Sequence, residues 1–182
     1  LLVASGLRFV SLASQNLWLD EYTTLEVSQR TIVEILNGVG FDRHTPPFYY
    51  ILMHFWLGIF PGDEFWLRTP ATICDLVNVL LLFRVAQHVF GEGRGSYCAL
   101  LYALNPFAIY YAQEARMYSL VISLVLGTLI LLLRLAMREW SIRERLLFIV
   151  LSIAGCYTHY YFCLYLAAAT LVVAVVLWGE SK

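Results

Sequence analysis

Asp20 and Glu21 stand side by side where an apolar segment gives way to a polar one, in the run Trp18-Leu19-Asp20-Glu21. Charged side chains are costly in hydrocarbon, so two adjacent acids at a membrane boundary point to a site. The plainer alternative is a pair that caps a helix or stands in interfacial water. Other chemistry-bearing residues accompany them: His44, Arg68, Glu114, Arg116 and His159. A carboxylate beside an arginine and a histidine at a membrane surface suits group transfer from an anionic lipid. The acid takes a proton from an acceptor hydroxyl, while the arginine grips a phosphate and stabilises it as a leaving group. Side chains adjacent on an extended backbone point apart, so the two acids are expected to have different tasks. Asp20 is assigned as the base and Glu21 as a group that orients the acceptor or shapes the field.

Each of these residues also has a structural alternative. Arg116 follows Glu114 closely enough for a simple ion pair, and Arg68 could snorkel to the headgroups from the start of its helix. His44 precedes two prolines and could satisfy a carbonyl in that turn. His159, set among Tyr157, Tyr160 and Tyr161, reads as interface-belt material. Asp75 lies seven residues beyond Arg68, on a similar helical face and deep in a span, as a structural contact or a partner to the site. Arg8 is expected near the interface, because an arginine at mid-bilayer would cost roughly 2.5–3.5 kcal/mol or more.

The elements that must hold these residues are membrane helices. Of the 182 residues, 60% are hydrophobic and 14% charged, with a mean hydropathy of +0.71. That balance places the chain among integral membrane proteins. A net charge of -1 without a basic patch excludes nucleic acid as a partner. Cys74, Cys98, Cys156 and Cys163 lie scattered in apolar sequence and read as core residues rather than a disulfide or zinc framework. The opening Leu1-Leu2-Val3 lacks a basic region and a cleavage site, so it is expected to continue an apolar helix rather than serve as a leader. One domain, residues 1–182, is expected, as a piece that begins inside a span.

Spans need about 20 apolar residues. Segments 66–84, 96–112 and 118–137 qualify, and 145–178 is long enough for two, divided at Tyr157-Thr158-His159. Residues up to about Leu12 end another span. Phe48–Leu57 is apolar but too short to cross, and fits a helix lying in the interface. With that segment not crossing, Arg84 and Arg94 share a side with Arg134, Arg138, Arg143, Arg145 and Lys182, which the positive-inside rule makes cytoplasmic. Asp20, Glu21, His44, Arg68, Glu114, Arg116 and His159 then fall together at the outer face. Between the acids and His44 a surface helix is expected, with capping-box spacing at Thr23 and Glu26 and an apolar stripe through Leu25, Ile32, Ile35 and Leu36, stopping near Gly38 and Gly40.

Some chemistries lack their parts. Gly91-Glu92-Gly93-Arg94-Gly95 reads as a turn between helices, and neither a phosphate loop nor an acidic pair of nucleotide-sugar type occurs. No cofactor is called for. A divalent metal could draw on Glu21, His44 or His159, although no ligand spacing specifies one.

Four runs in order carry a resemblance: Leu17-Trp18-Leu19-Asp20-Glu21, His44-Thr45-Pro46-Pro47-Phe48-Tyr49-Tyr50, Leu67-Arg68-Thr69-Pro70-Ala71, and Tyr111-Ala112-Gln113-Glu114-Ala115-Arg116-Met117-Tyr118. Together they resemble the membrane glycosyltransferases related to protein O-mannosyltransferases and lipid A aminoarabinose transferase, of the GT-C fold. The resemblance implies an all-α transmembrane bundle with interfacial helices in its first outer loop, multi-pass in the plasma membrane. It implies a polyprenyl-phosphate-linked sugar as donor, a protein, lipopolysaccharide or other glycolipid acceptor among the membrane lipids, and inversion at the sugar. It further implies Asp20 as the catalytic carboxylate with Glu21 beside it, and Arg68 and Arg116 as phosphate ligands. Two other classes compete. A transporter or flippase would use Arg68, Asp75 and Arg116 as a pathway, and a noncatalytic membrane subunit would leave the acids idle.

Overall fold

The computed structural model describes residues 1–38, 45–91, 93–137 and 140–180, and every regular element within them is a helix. Three described helices are long and apolar enough to cross a membrane. They are α5 (Glu64–Phe90), α8 (Tyr118–Met137) and α10 (Tyr160–Glu180, apolar as far as Gly179). At 1.5 Å per residue α5 reaches about 40 Å, more than the ~30 Å of a hydrocarbon core. The remaining helices are α1 (Leu2–Phe9), α2 (Leu19–Ser28), α3 (Ile32–Leu36), α4 (Phe48–Leu57), α6 (Arg94–Ala103), α7 (Pro106–Ala112) and α9 (Ile142–Cys156).

Local chemistry sets the breaks. Asp63 caps α5 by accepting the Trp66 N–H at 2.9 Å, and Gly91 ends that helix at φ 86, where a Cβ would be strained. The expected single span 96–112 is instead two helices. Asn105 accepts the N–H groups of Phe107 and Ala108, and Pro106 opens α7 without an amide of its own. The expected surface helix is likewise two: α2 ends at Ser28, and a reciprocal capping box between Thr31 and Glu34 starts α3. Thr23 lies inside α2, its hydroxyl turned back onto the Leu19 carbonyl, so it caps nothing. Gly38 has φ 66 just beyond α3, and Gly40 lies outside the described residues.

Helices α5, α8 and α10 run in the same direction. The Thr72 hydroxyl donates to the Ala112 carbonyl at the start of the pair, and Asn78 donates to the Ser119 carbonyl farther along. Arg84, His88 and Arg134 line one cavity at the far end. Tyr165 of α10 donates to the Val125 carbonyl of α8. α9 returns between them, and the turn into α10 is tight because the Phe162 ring lies directly over Gly155, where no side chain fits. The basic residues Arg84, Arg94 and Arg134 therefore gather at the end opposite Arg68.

Over the starting end of α5 and α8 sit the short helices α2, α3 and α4. Val27, Ile35, Tyr50, Met53, Leu67 and Met117 are buried in their shared core. Pro70 has no N–H to offer the Trp66 carbonyl one turn back in α5. The Trp56 indole of α4 donates to that carbonyl at 2.8 Å instead, so the gap in α5 becomes the anchor of α4. Trp56→Phe keeps the ring stacking and removes the donor. The expected cost is about 1–3 kcal/mol, the usual penalty for stranding a buried acceptor. A melting temperature in detergent equal to wild type would refute this anchor.

Arg8 is not at an interface. It is fully buried, its Nε 2.5 Å from the Asp75 carboxylate, with Nη1 donating to the Ala103 carbonyl at 2.9 Å. The Tyr102 hydroxyl donates to the other Asp75 oxygen. Two opposite charges that would each be prohibitive in apolar surroundings meet and tie α1, α5 and α6 together.

Candidate active site

Glu21 sits in the first turn of α2 and is 1% exposed. Arg68, one turn into α5, faces it with a two-pronged fork: Nε donates to Oε1 at 2.8 Å and Nη2 to Oε2 at 2.7 Å. The Ala115 N–H donates to Oε1 at 2.9 Å, and the Trp18 N–H reaches Oε2 at 3.4 Å. Each carboxylate oxygen thus has two donors, and the charge is fully compensated.

Arg68 spends its other donors on backbone. Nη1 reaches the Leu12 carbonyl at 2.7 Å and the Gln15 carbonyl at 3.0 Å, and Nη2 approaches Asn16 at 3.4 Å. The guanidinium has no N–H left over. The expectation of Arg68 as a phosphate ligand therefore meets a physical obstacle: in this arrangement it shapes the loop between α1 and α2. Glu21 meets the same obstacle as a catalytic group, since neither of its oxygens is open. Gln113 holds the loop from the other side, its amide donating to the carbonyls of Arg8 and Val10 at 3.0 Å.

Asp20 is different. Its side chain is partly exposed, and no hydrogen bond or ion pair of its carboxylate is found among the described residues. Its backbone carbonyl receives the Thr24 hydroxyl at 3.1 Å and, at 3.4 Å, Nη1 of Arg116. That same Nη1 lies 3.3 Å from the Tyr50 hydroxyl and 3.5 Å from the Thr24 hydroxyl. Arg116 is 7% exposed and also lines an apolar cavity of about 210 Å³, with Tyr49, Leu52, Met53, Trp56 and Leu120. Among the described residues it is the one charged group in that lining.

Glu114 is 5% exposed, and its Oε2 has no hydrogen-bond partner among the described residues. Burial pushes its carboxyl above the ordinary carboxylate range. The Tyr110 hydroxyl and Arg116 pull it back, while the charges of Glu21 and Asp20 push it further up. A raised folded-state pKa means that the folded protein holds this proton more tightly than the unfolded chain. The resulting stability is present in acid and fades as pH climbs from the ordinary carboxylate range through the raised value. Glu114→Gln should lack that decline. Melting temperatures of the two proteins measured from pH 4 to pH 8 should therefore converge at acid pH, with the variant the more stable at the upper end. Parallel curves would contradict it.

The structure brings Asp20, Glu21, Arg68, Glu114 and Arg116 together. His159 stands apart from them: its Nδ1 accepts the Tyr161 N–H, and its ring lies against the Tyr161 ring. Its turn touches the start of α4, where the Phe48 N–H donates to the Tyr157 carbonyl at 3.0 Å. His44 lies outside the described residues. Among the described residues no three His, Cys, Asp or Glu side chains gather as a metal site would require. Two partners of Arg116 escaped the sequence reading, Thr24 and Tyr50. Tyr50 carried a signal, since its hydroxyl sits in a helix too short to cross and therefore near polar groups.

No curated protein and no solved structure matches the chain. Over residues 44–182 it matches the family described as dolichyl-phosphate-mannose-protein mannosyltransferase, a match that takes in Arg68, Glu114 and Arg116 and begins after the acid pair. The all-helical bundle with membrane-length helices accords with that match, and the chain belongs to this family of membrane glycosyltransferases of the mannosyltransferase type.

Proposed function

We propose that the protein transfers a glycosyl unit from a polyprenyl-phosphate-linked sugar to a hydroxyl acceptor at the outer face of the membrane. Asp20 takes the acceptor proton, the acceptor oxygen bonds to the anomeric carbon, and the bond from that carbon to the phosphate oxygen breaks. The lipid phosphate leaves with the electron pair, and Arg116 stabilises its charge. Attack opposite the leaving group inverts the anomeric centre. Glu21 and Arg68 act as positioning residues that fix the first turn of α2 and the loop before it.

The observation that carries this reading is the pairing of Arg116 with two different neighbours. On one side lies the backbone of Asp20, whose carboxylate is uncommitted among the described residues. On the other lies an apolar groove in which the first isoprene units of a lipid donor would fit. Placing the basic ends of α5 and α8 in the cytoplasm puts the site outside.

The test is a donor titration in membranes supplied with polyprenyl-phosphate-linked mannose. Removing a charge-assisted contact to phosphate typically costs about 1.5–3 kcal/mol, so Arg116→Ala should raise the donor KM by about 10- to 150-fold. Arg116→Lys should recover part of that loss. A donor KM unchanged in Arg116→Ala would remove Arg116 from the phosphate site.

A further inference from the structure

At the end of the bundle opposite Asp20 and Arg116, a cavity of about 630 Å³ opens between α5, α8 and α9. Arg134, in its lining, lies about 24 Å along α8 from Tyr118, so most of a bilayer separates this cavity from the site at Arg116. We propose that it is a binding site for one anionic phospholipid of the adjoining leaflet. The lipid phosphate sits between Arg84 and Arg134, and an acyl chain runs along α8 toward the middle of the membrane. The inference stands apart from the glycosyl-transfer reading and uses none of its residues.

The first observation is charge without a counter-charge. Arg84, His88 and Arg134 line the cavity, and no acidic side chain joins them there among the described residues. Both arginines are exposed, and no hydrogen bond or ion pair of the Arg84 guanidinium is found among the described residues. Arg134 has a loose contact, its Nη1 lying 3.4 Å from Oε1 of Glu144. The other oxygen of Glu144 is committed to the start of α9, where it accepts the Ser141 N–H at 3.0 Å and the Ser141 hydroxyl at 2.8 Å. Each guanidinium therefore keeps N–H groups for an outside acceptor, and a phosphate diester accepts from such forks well. His88 is held beside them, its Nδ1 donating to the Arg84 carbonyl at 2.8 Å.

The second observation is the wall below these cations. It is apolar apart from Ser123, whose hydroxyl is turned to the Asn78 side chain at 2.7 Å. Gly127 keeps the space between α8 and α9 open: a Cβ there would come within 3.2 Å of Leu151. The third observation is length. From Arg134 back to Ser123 the lining extends about 16 Å along α8, close to half of a hydrocarbon core about 30 Å thick. A groove that is cationic at the headgroup level and apolar for one leaflet's depth matches a phospholipid better than a free anion, which has no use for the apolar part. Basic pockets between membrane helices are known to select acidic headgroups on this principle.

The test is competition between dioleoyl phosphatidylglycerol and dioleoyl phosphatidylcholine for the purified protein in detergent, with bound lipid counted by native mass spectrometry. The acyl chains are identical, so only the headgroup charge differs. A charge-assisted contact is typically worth a factor of about ten or more, so the wild type should prefer the anionic lipid by at least about tenfold. Arg84→Gln combined with Arg134→Gln should bring the two lipids close to parity. The melting temperature without lipid should hold, because both side chains are exposed. Leu147→Trp, at a lining position 48% exposed, should narrow the groove and weaken both lipids together. Arg143→Gln combined with Arg145→Gln removes as much charge from the same end of the bundle at residues outside the lining, and should leave the preference intact. Inorganic phosphate should not displace the bound lipid. No preference in the wild type would overturn the proposal and leave the groove to another occupant, such as a neighbouring helix. Equal loss in the Arg143 and Arg145 variant would reduce the effect to general surface charge and overturn it too. Displacement by phosphate, or unchanged lipid binding in Leu147→Trp, would likewise contradict a lipid seated in this groove.

Discussion

Asp20→Asn should abolish measurable glycosyl transfer while leaving the protein folded. A positioned general base contributes about 10²- to 10⁴-fold to rate, so kcat should fall by that factor. The fold should tolerate the change, because the carboxylate is partly exposed and has no described partner to strand. Its place in the first turn of α2 gives it a favourable interaction with the helix dipole of about 0.3–1 kcal/mol at most, and the stability loss should not exceed that. Binding of the lipid donor should persist, since Arg116 touches the Asp20 backbone carbonyl and not its side chain. Asp20→Glu should retain some turnover, with the base present but displaced by one methylene. Wild-type kcat in Asp20→Asn would assign the proton transfer elsewhere. Equal loss in Asp20→Asn and in Asp20→Glu, with donor binding also gone, would point to a folding defect instead.

The second large effect falls on stability. Arg68→Ala leaves the Glu21 charge buried with only two backbone N–H groups facing it, and it frees the carbonyls of Leu12, Gln15 and Asn16. Breaking a buried ion pair from one side costs about 3–5 kcal/mol. Glu21→Gln should come close to that value, because it strands the guanidinium. The signature is non-additivity. Replacing both residues together, as in Glu21→Leu with Arg68→Met, should cost less than the sum of the two single changes, since neither charge is then stranded. Thermal unfolding of the singles and the double in one detergent decides this. Additive losses, or single losses under about 1 kcal/mol, would show that the pair does not hold the α1–α2 loop.

Much of the scaffold was legible in the sequence because apolar length is a local property. The span 118–137 coincides with α8, and the short Phe48–Leu57 run coincides with α4. The polar cluster at Tyr157-Thr158-His159 separates α9 from α10, as a break in hydrophobicity should. The corner at Asn105-Pro106 interrupts a segment otherwise apolar and long enough to read as one span. The signal was nonetheless present, since an asparagine followed by proline is a helix start within a helix.

What the sequence could not show was which polar groups meet. Glu21 and Arg68 are 47 positions apart, and Glu21 and Ala115 are 94 apart. No periodicity reports such a pairing. The sequence placed both residues at one end of the membrane and went no further, so it could not reveal that each saturates the other. Arg8 and Asp75 had a better clue. A cation and an anion in separate apolar segments, each too costly alone, have reason to find one another. The short run around Arg8 taken alone shows no such partner, and on that ground the residue is expected at an interface.

The most direct measurement follows both halves of the donor at once. Membranes containing the protein would receive polyprenyl-phosphate mannose labelled in the sugar, and the free lipid phosphate would be measured alongside the glycosylated product. Lipid phosphate appearing one for one with transferred mannose is the result expected of a glycosyltransferase that cleaves the bond between sugar and phosphate. Intact donor crossing the membrane with no lipid phosphate released would contradict it, and would make the protein a carrier of the lipid.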